Sequence, residues 1–321
     1  MNYSAWIVFV CFISRINAAD EEDHGSKWSY EGKSGPKYWP QFGKACKGAR
    51  QSPISFDPYS VYRICESHEN KFGFVSYEQP LEKFVIKNNG HSVQVNPDPP
   101  EKAAQFIRRG DLPADFEFHQ FHFHWGVTDN RGSEHKVFGF QYPLELHIVH
   151  YNTDFASAGD AVPKKNGLAV LGIMFKVEEG ANFQPLRELA SIMGDLADAN
   201  ANRSYTEDEF ELKLSSFLPR DTASFYRYQG SLTTPGCFQS VIWTVFTEPI
   251  AIGKDQLDAF RQLRNSANQA PYKNYRPVQP LNDRTVYLYG DPCFGVESAG
   301  ATPIISPLLL VLTVLAAVFW Q

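Results

Sequence analysis

A ten-residue segment, Phe116–Trp125, restricts the fold most, because polar and aromatic residues alternate along it. Such alternation predicts a β-strand, since successive side chains of a strand point to opposite faces. His122 and His124 would then share one face, about 6–7 Å apart at about 3.3 Å of rise per residue. The aromatic residues between them would form the apolar back of the same strand.

A third imidazole, His147, lies in a second β-like run that could pair beside the first. Three neutral imidazoles around one ion leave a fourth position open, which is typical of a catalytic zinc site. Gln120 and Glu145 have the parity needed to accept hydrogen bonds from the other ring nitrogens of such ligands. The alternative is that the His-x-His pair is an ordinary surface pair or a hydrogen-bonded core pair.

Length and composition favour a folded domain. The chain has 321 residues, of which 43% are hydrophobic and 14% aromatic, so an ample core is available. The net charge is −6, and no basic run is longer than Arg108-Arg109, so a nucleic-acid partner is not expected.

The N-terminus has the pattern of a secretory signal peptide over residues 1–19. Residues Ala5 to Ile13 are apolar, and Asn17-Ala18-Ala19 supplies small residues for cleavage before an acidic stretch. The usual positive segment is missing, and an uncleaved anchor is the alternative, although the apolar run is short for spanning a bilayer.

The C-terminus predicts a glycosylphosphatidylinositol anchor. A nearly apolar tail, Ile304 to Trp320, follows a short spacer and carries no charge after it. We expect residues 294–298 to form a short stalk, Ser298 to be the attachment residue with Gly300 as competitor, and residues 299–321 to be removed. The protein would then sit on the outer face of the plasma membrane; a transmembrane anchor is the alternative.

The cysteines and one sequon agree with secretion. Cys46, Cys65, Cys237 and Cys293 form an even set once Cys11 leaves with the signal peptide, and three pairings are possible. Asn202-Arg203-Ser204 is a glycosylation sequon, expected in a surface loop.

Residues 20–293 are expected to form one mostly β domain with mixed α/β character, because no linker or repeat interrupts them. Turn residues separate the β-like runs, whereas helical spacing is limited to residues 183–196 and 254–263 on the periphery. The runs are 73–77, 83–88, 92–96, 116–125, 145–151, 168–177, 240–246 and 284–289.

The chain resembles the α-carbonic anhydrases over nearly all of residues 28–289, and its ends resemble the membrane-anchored extracellular members. The matching segments are Arg50–Ile54, Asn88–His91, Gln120–Gly126, Gly132–His135, Glu145–His147, Gly167–Gly172, Ser231–Pro235 and Asn274–Pro277. The resemblance implies a large, twisted, mainly antiparallel central sheet with a conical zinc cavity. It also implies that His122, His124 and His147 hold Zn²⁺, with Gln120 and Glu145 as acceptors for His122 and His147.

The resemblance further implies reversible hydration of carbon dioxide to bicarbonate and a proton by a zinc-bound hydroxide. Thr233 would orient that nucleophile and pass its own proton to Glu134, while Thr234 would contact bicarbonate. The apolar wall for carbon dioxide would consist of Val149, Val170, Leu232, Val241 and Trp243.

Proton export would use His91, because imidazole titrates near neutral pH. Tyr30, Asn89 and Gln94 match positions that order the intervening water. His135 and His150 are assigned to the scaffold. His119 has the opposite parity to the zinc pair, so we do not expect it to be a ligand; the cavity rim is a place it could occupy.

The resemblance also suggests how the cysteines pair. Cys46 and Cys237 match a disulfide of the extracellular members, which would pin the loop that carries Thr233 and Thr234. Cys65 and Cys293 remain to pair with each other, and two free thiols are the alternative.

Two rival functions come from different classes. One is a catalytically inactive binding module on the same scaffold, although the predicted ligands and proton-transfer residues are all present. The other is a zinc esterase, for which the narrow apolar wall is less suited than for carbon dioxide.

Overall fold

One large sheet dominates the computed structural model, which describes residues 28–65, 71–100, 103–270 and 272–291. Ten long or medium strands form its main path, and three short strands attach to it. The strands are β1 Ser55–Phe56, β2 Tyr62–Cys65, β3 Phe72–Val75, β4 Lys83–Asn88, β5 Val93–Pro97, β6 Phe106–Arg109, β7 Phe116–Trp125, β8 Lys136–Val137, β9 Leu144–Asn152, β10 Leu168–Val177, β11 Asn202–Thr206, β12 Phe225–Gly230, β13 Val241–Phe246, β14 Ile250–Ile252 and β15 Tyr287–Asp291.

The order of the main path is β11-β4-β5-β7-β9-β10-β13-β12-β15-β2, with β14 beside β10 and the β3–β6 pair beside β7. Neighbouring strands are antiparallel except for β10–β13, β10–β14 and β15–β2. β1 and β8 form a separate two-stranded parallel pair. The two strands that carry the histidines, β7 and β9, therefore lie in the middle of the sheet.

The sheet separates two apolar clusters, because alternate residues of its central strands point to opposite faces. On β9, Leu146 and Ile148 join the larger cluster, while Val149 and Tyr151 join the smaller one. His147 has the same parity as Val149 and Tyr151, so the smaller cluster marks the face that bears the histidines. We call this face the site face.

Helices are few and short in the described residues. Three are α-helices, α1 Ala158–Ala161, α2 Gln184–Ile192 and α3 Lys254–Phe260, and short 3₁₀ segments include Pro36–Gln41, Lys44–Lys47, Met193–Leu196 and Leu214–Phe217. Helix α2 buries Leu186 and Leu189 against the larger cluster. Pro185 at its start is favourable, because the first helical turn leaves its backbone N–H groups unpaired in any case.

The mostly β fold with peripheral short helices and a large sheet is confirmed, whereas the conical shape of the cavity stays a prediction. Strands β4, β7 and β10 have the predicted bounds, and the helix predicted over 183–196 continues from α2 into a 3₁₀ turn. The strands that the sequence did not reveal are short, lie at an edge or lack alternation; they are β1, β2, β6, β8, β11, β12 and β14.

One structural expectation was wrong. Asn202 lies at the start of the edge strand β11 rather than in a loop, with its side chain exposed. The strand is polar and mostly exposed, so only its backbone pairing with β4 shows that it is a strand. The predicted signal peptide, stalk, attachment residue Ser298 and C-terminal tail lie outside the described residues. Among the described helices, none has the length and apolar character needed to cross a membrane.

Candidate metal centre and active site

The register of β7 and β9 brings the three predicted ligands together. His122 lies opposite His147, and His124 lies two residues further along β7, opposite Glu145. One ring nitrogen from each of His122, His124 and His147 lies within 4.8 Å of the others. The ring centroids are 4.5 to 5.3 Å apart. Two strands thus present three imidazoles to one point.

The remaining nitrogen of each ring has an acceptor that fixes its orientation. His122 Nδ1 lies 2.9 Å from Gln120 Oε1, and His147 Nε2 lies 2.7 Å from Glu145 Oε1. His124 Nδ1 lies 2.7 Å from the backbone oxygen of Asn274. Because these nitrogens donate, the lone pairs of His122 Nε2, His124 Nε2 and His147 Nδ1 are available for a metal.

Electrostatics keep these imidazoles neutral. Burial, together with the neighbouring histidines, lowers the pKa of His122 well below its usual value and that of His124 to about 3. Burial also lowers the pKa of His147, although Glu145 opposes that shift. His124 Nε2 is buried and has no hydrogen-bond partner among the described residues. Three neutral nitrogen donors with an open side fit Zn²⁺.

Glu145 anchors one side of the site through four hydrogen bonds. Its Oε2 accepts from the backbone N–H groups of Glu134 and His135, at 2.7 and 2.9 Å. Its Oε1 lies 2.7 Å from both His135 Nδ1 and His147 Nε2. Burial alone would raise its pKa, but His135 and His147 outweigh that effect and hold the pKa well below its usual value. His135, Glu145 and His147 therefore form a hydrogen-bonded group rather than a second metal site.

Glu134 and Thr233 lie on the other side of the imidazole cluster. Glu134 Oε1 accepts from the backbone N–H of Arg276 at 2.7 Å, and Oε2 lies 3.6 Å from His124 Nε2. Burial raises the pKa of Glu134 well above its usual value, while the Arg276 N–H and the Thr233 hydroxyl favour the charged form. Thr233 is itself buried, so a polar pair stands beside the proposed metal position.

The residues predicted to form the carbon dioxide wall belong to the smaller apolar cluster on the site face. Four are buried and Leu232 is half-buried; the set is Val149, Val170, Leu232, Val241 and Trp243. The Trp243 ring centroid lies 4.7 Å from that of His147, so the apolar surface reaches the imidazoles. Thr234 is half-buried in the adjoining loop.

His91 lies in the turn between β4 and β5, stacked on Trp28 with ring centroids 3.8 Å apart and planes 9° from parallel. Asn89 Oδ1 accepts from the backbone N–H of His91 at 3.0 Å, and Asn274 Nδ2 donates to the His91 carbonyl at 2.9 Å. Asn89 Nδ2 also donates to Gln94 Oε1 at 3.0 Å. Tyr30 is buried in the same aromatic group and contacts the His91 ring edge-on. The four predicted proton-path residues thus adjoin one another.

The Cys46–Cys237 disulfide is present and closes a separation of 191 residues. Cys237 N–H donates to the Thr234 carbonyl at 2.9 Å, so the bridge holds the loop that carries Thr233 and Thr234. The predicted Cys65–Cys293 bridge lies outside what the structure describes, although Cys65 pairs with Asp291 in the parallel ladder of β2 and β15.

Asn274 and Tyr228 are site-supporting residues that sequence reasoning did not assign. Asn274 holds His124 through its backbone carbonyl, and a backbone contact of this kind cannot be read from residue type. The segment that contains Asn274 was nevertheless among the matching motifs. The Tyr228 hydroxyl lies 2.6 Å from His135 Nε2 and 2.8 Å from Ser52 Oγ, so it extends the Glu145 network. His135 and His150 are hydrogen-bonded in the scaffold, the latter to the Ala169 carbonyl at 3.2 Å.

The family comparison agrees with this geometry. Residues 34–290 match the family model for the eukaryotic-type carbonic anhydrases. A Caenorhabditis elegans protein named "Putative carbonic anhydrase 3" is 38% identical over 261 residues, which is 81% of this chain and 96% of the relative. Another from the same organism, "Putative carbonic anhydrase 5", is 34% identical over 281 residues, 87% of this chain and 86% of the relative. A family match over most of the chain, around three convergent imidazoles, makes this chain a member of the eukaryotic-type carbonic anhydrase family.

Proposed function

We propose that this chain catalyses the reversible hydration of carbon dioxide to bicarbonate and a proton, with Zn²⁺ held by His122, His124 and His147. The observation that carries the proposal is the convergence of three neutral ring nitrogens within 4.8 Å, each with its other nitrogen fixed by an acceptor. When bound, zinc acts as a Lewis acid that lowers the pKa of a coordinated water to about 7, a value taken from carbonic anhydrases in general.

Thr233 and Glu134 would orient the nucleophilic oxygen. A carboxylate at Glu134 accepts the Thr233 hydroxyl proton, which leaves the Thr233 oxygen free to accept a hydrogen bond from the nucleophile. Although burial raises the pKa of Glu134, a nearby dication favours ionisation, so we expect the charged form in the zinc-loaded protein. The nucleophile's lone pair would then point toward the substrate.

The apolar wall would receive carbon dioxide, which is uncharged and apolar. Val149, Val241 and Trp243 belong to the apolar cluster beside the imidazoles, so this surface would offer carbon dioxide no competing polar contacts. Thr234 would hydrogen-bond the bicarbonate product, whose charge the apolar residues would not hold. A narrow wall of this kind also disfavours the bulkier substrates of an esterase.

His91 would export the proton to solvent, with Tyr30, Asn89 and Gln94 ordering the water between. Support comes from the hydrogen bonds that hold the His91 backbone and from its stacking on Trp28. The imidazole is the side chain whose ordinary pKa best suits transfer in both directions near neutral pH.

The proposal is tested on His147→Ala, with Asn130→Ala as a matched control because Asn130 is exposed and is not one of the grouped metal-binding residues. His147→Ala should lose bound zinc, measured by elemental analysis, and hydration activity, measured by stopped-flow pH indicator. Undiminished hydration by a metal-free His147→Ala protein would refute the mechanism. A parent chain that binds zinc but does not hydrate carbon dioxide would instead support the inactive binding module.

We further propose that the mature domain, residues 20–293, is carried on a short stalk, residues 294–298, and held on the outer cell surface by a lipid anchor at Ser298. The apolar C-terminal tail and the small residues before it support this arrangement. Phosphatidylinositol-specific phospholipase should release carbonic anhydrase activity from intact cells. Activity that stays with the membrane after treatment would favour a transmembrane anchor.

A further inference from the structure

A β-bulge in β7 changes the direction in which His119 points. In the ladder with β9, Phe118 lies opposite His150 and Gln120 lies opposite Val149, so His119 is an extra residue on β7. In a regular strand His119 would face away from Gln120 and the metal ligands. An extra residue shifts this alternation, and bulges near active sites commonly redirect a side chain.

The contacts of His119 place it on the site face. Its ring meets the ring of Tyr151 edge-on, with centroids 6.4 Å apart. Tyr151 belongs to the smaller apolar cluster with Val149 and Trp243, and it has the same parity on β9 as His147. The strand parity assigned to His119 was therefore wrong, because the bulge puts His119 and Gln120 on the same side of the sheet. His119 is still not among the grouped metal-binding residues.

His119 lies close enough to the ligands for a short water relay. It is three residues from His122 on the same strand, so their Cα atoms are at most about 10 Å apart. Two water molecules and three hydrogen bonds of about 2.8 Å cover most of that distance. The side chain is half-buried, so part of it reaches solvent, while its Nδ1 atom is buried. The titratable neighbours are Glu117, His150 and Tyr151.

His119 is part of the ligand strand β7 and contacts β9, whereas His91 lies in a turn beyond the other edge of β7. His91 follows β4 and precedes β5, and β5 pairs with one edge of β7, whereas Tyr151 comes from β9 on the other edge. The His91 ring is stacked flat on Trp28, so that route begins from a side chain held against an aromatic surface. A second imidazole, on the side of β7 that faces β9, offers a separate route for the proton to solvent.

We propose that His119 is a second proton-transfer residue, which works in parallel with His91; this rests on the proposed carbon dioxide hydration. The reaction CO2 + H2O → HCO3⁻ + H⁺ releases one proton per turnover. An imidazole nitrogen of His119 takes that proton through water and passes it to buffer or bulk solvent, and the ring returns to its neutral form.

The test compares His91→Ala, His119→Ala, the double variant, and His91→Ala combined with His119→Gln, all in the full chain loaded with zinc. Glutamine keeps a polar side chain of similar reach but does not titrate, so it separates proton transfer from packing. Stopped-flow hydration at low buffer concentration gives kcat, which depends on proton export, and kcat/KM, which depends on the hydration step.

We expect both double variants to have a kcat at least about threefold below that of His91→Ala. This effect is smaller than that of removing a sole proton-transfer group, because water can still carry the proton to solvent. Their kcat/KM and zinc content should equal those of His91→Ala, and added imidazole should restore kcat. A double variant with the kcat of His91→Ala overturns the proposal. So does a parallel fall in kcat and kcat/KM, which would indicate a packing role. An inactive parent chain would instead count against the proposed function itself.

Discussion

Asn274→Ala should be among the most destabilising single substitutions near the site. The buried Asn274 side chain accepts from the Trp125 N–H at 2.6 Å and donates to the carbonyls of His91 and Phe123 at 2.9 and 3.0 Å. Alanine leaves the Trp125 N–H and the His91 carbonyl without this partner, whereas the Phe123 carbonyl keeps a hydrogen bond from Ser92 Oγ at 2.6 Å. At about 1–3 kcal/mol for each of the two groups, the free energy of unfolding should fall by about 2–6 kcal/mol.

The expected loss is large enough for thermal and chemical unfolding to measure. In a domain of this size each kcal/mol lowers Tm by about 2–4 °C, so Tm should fall by roughly 4–24 °C. Urea unfolding followed by tryptophan fluorescence gives the free energy directly. Asn130→Ala is the matched control: its exposed side chain accepts one bond, from Thr128, so the change should stay within about 0.5 kcal/mol.

A second substitution, Asn274→Asp, tests the same reasoning by isostere. It keeps the acceptor for the Trp125 N–H but places an oxygen against two carbonyls, so it should destabilise at least as much as alanine near neutral pH. The Asn274 carbonyl that holds His124 remains in both variants, so zinc should bind better than in His147→Ala. A loss below about 1 kcal/mol for Asn274→Ala would show that water or rearrangement satisfies these groups, and the reasoning would be refuted.

Three further outcomes are expected. Burial lowers the pKa of His150 from 6.5 to about 3. Between these pH values the unfolded chain binds the proton and the folded chain does not. Up to about 5 kcal/mol of the stability present above pH 6.5 should therefore be lost as pH falls toward 3. Urea unfolding from pH 8 to 4 measures this, and a flat profile would contradict it. Cutting the Cys46–Cys237 bridge by Cys46→Ser with Cys237→Ser should cost up to about 5 kcal/mol, because it closes a long loop; an unchanged Tm would count against this. Peptide-N-glycosidase should increase the gel mobility of the secreted chain but not of Asn202→Gln; no shift in the parent would mean that the sequon is unused.

Strand parity was enough to predict that the three histidines converge. His122, His124 and His147 lie where β7 and β9 pair without a shift, so counting by two along each strand gives the correct face. Gln120 and Glu145 follow from the same count, since they belong to the strands that carry the ligands. Parity could not predict the acceptor for Nδ1 of His124, because that acceptor is a backbone oxygen 150 residues away in the sequence.

The fold class could be predicted because the long central strands carry clear alternation or continuous apolar runs. The edge strands could not, since β11 is mostly exposed and β2 has only four residues; their backbone neighbours, rather than their side chains, make them strands. The outer strands could therefore be identified only from their pairing with neighbouring strands in the folded structure.

His119 shows where counting by two fails and why the failure matters. The sequence Phe118-His119-Gln120 contains no glycine or proline to mark a bulge, so strict alternation put His119 on the core side. The ladder accommodates the extra residue because Phe118 and Phe121 both remain in the larger apolar cluster, which fixes the register on either side of the bulge. His119 and Gln120 lie between these two buried phenylalanines. Regular alternation would place one of them outside the core and the other inside it. His119 and Gln120 therefore both turn to the site face, and a residue that parity excluded only as a metal ligand becomes available to the chemistry of the site.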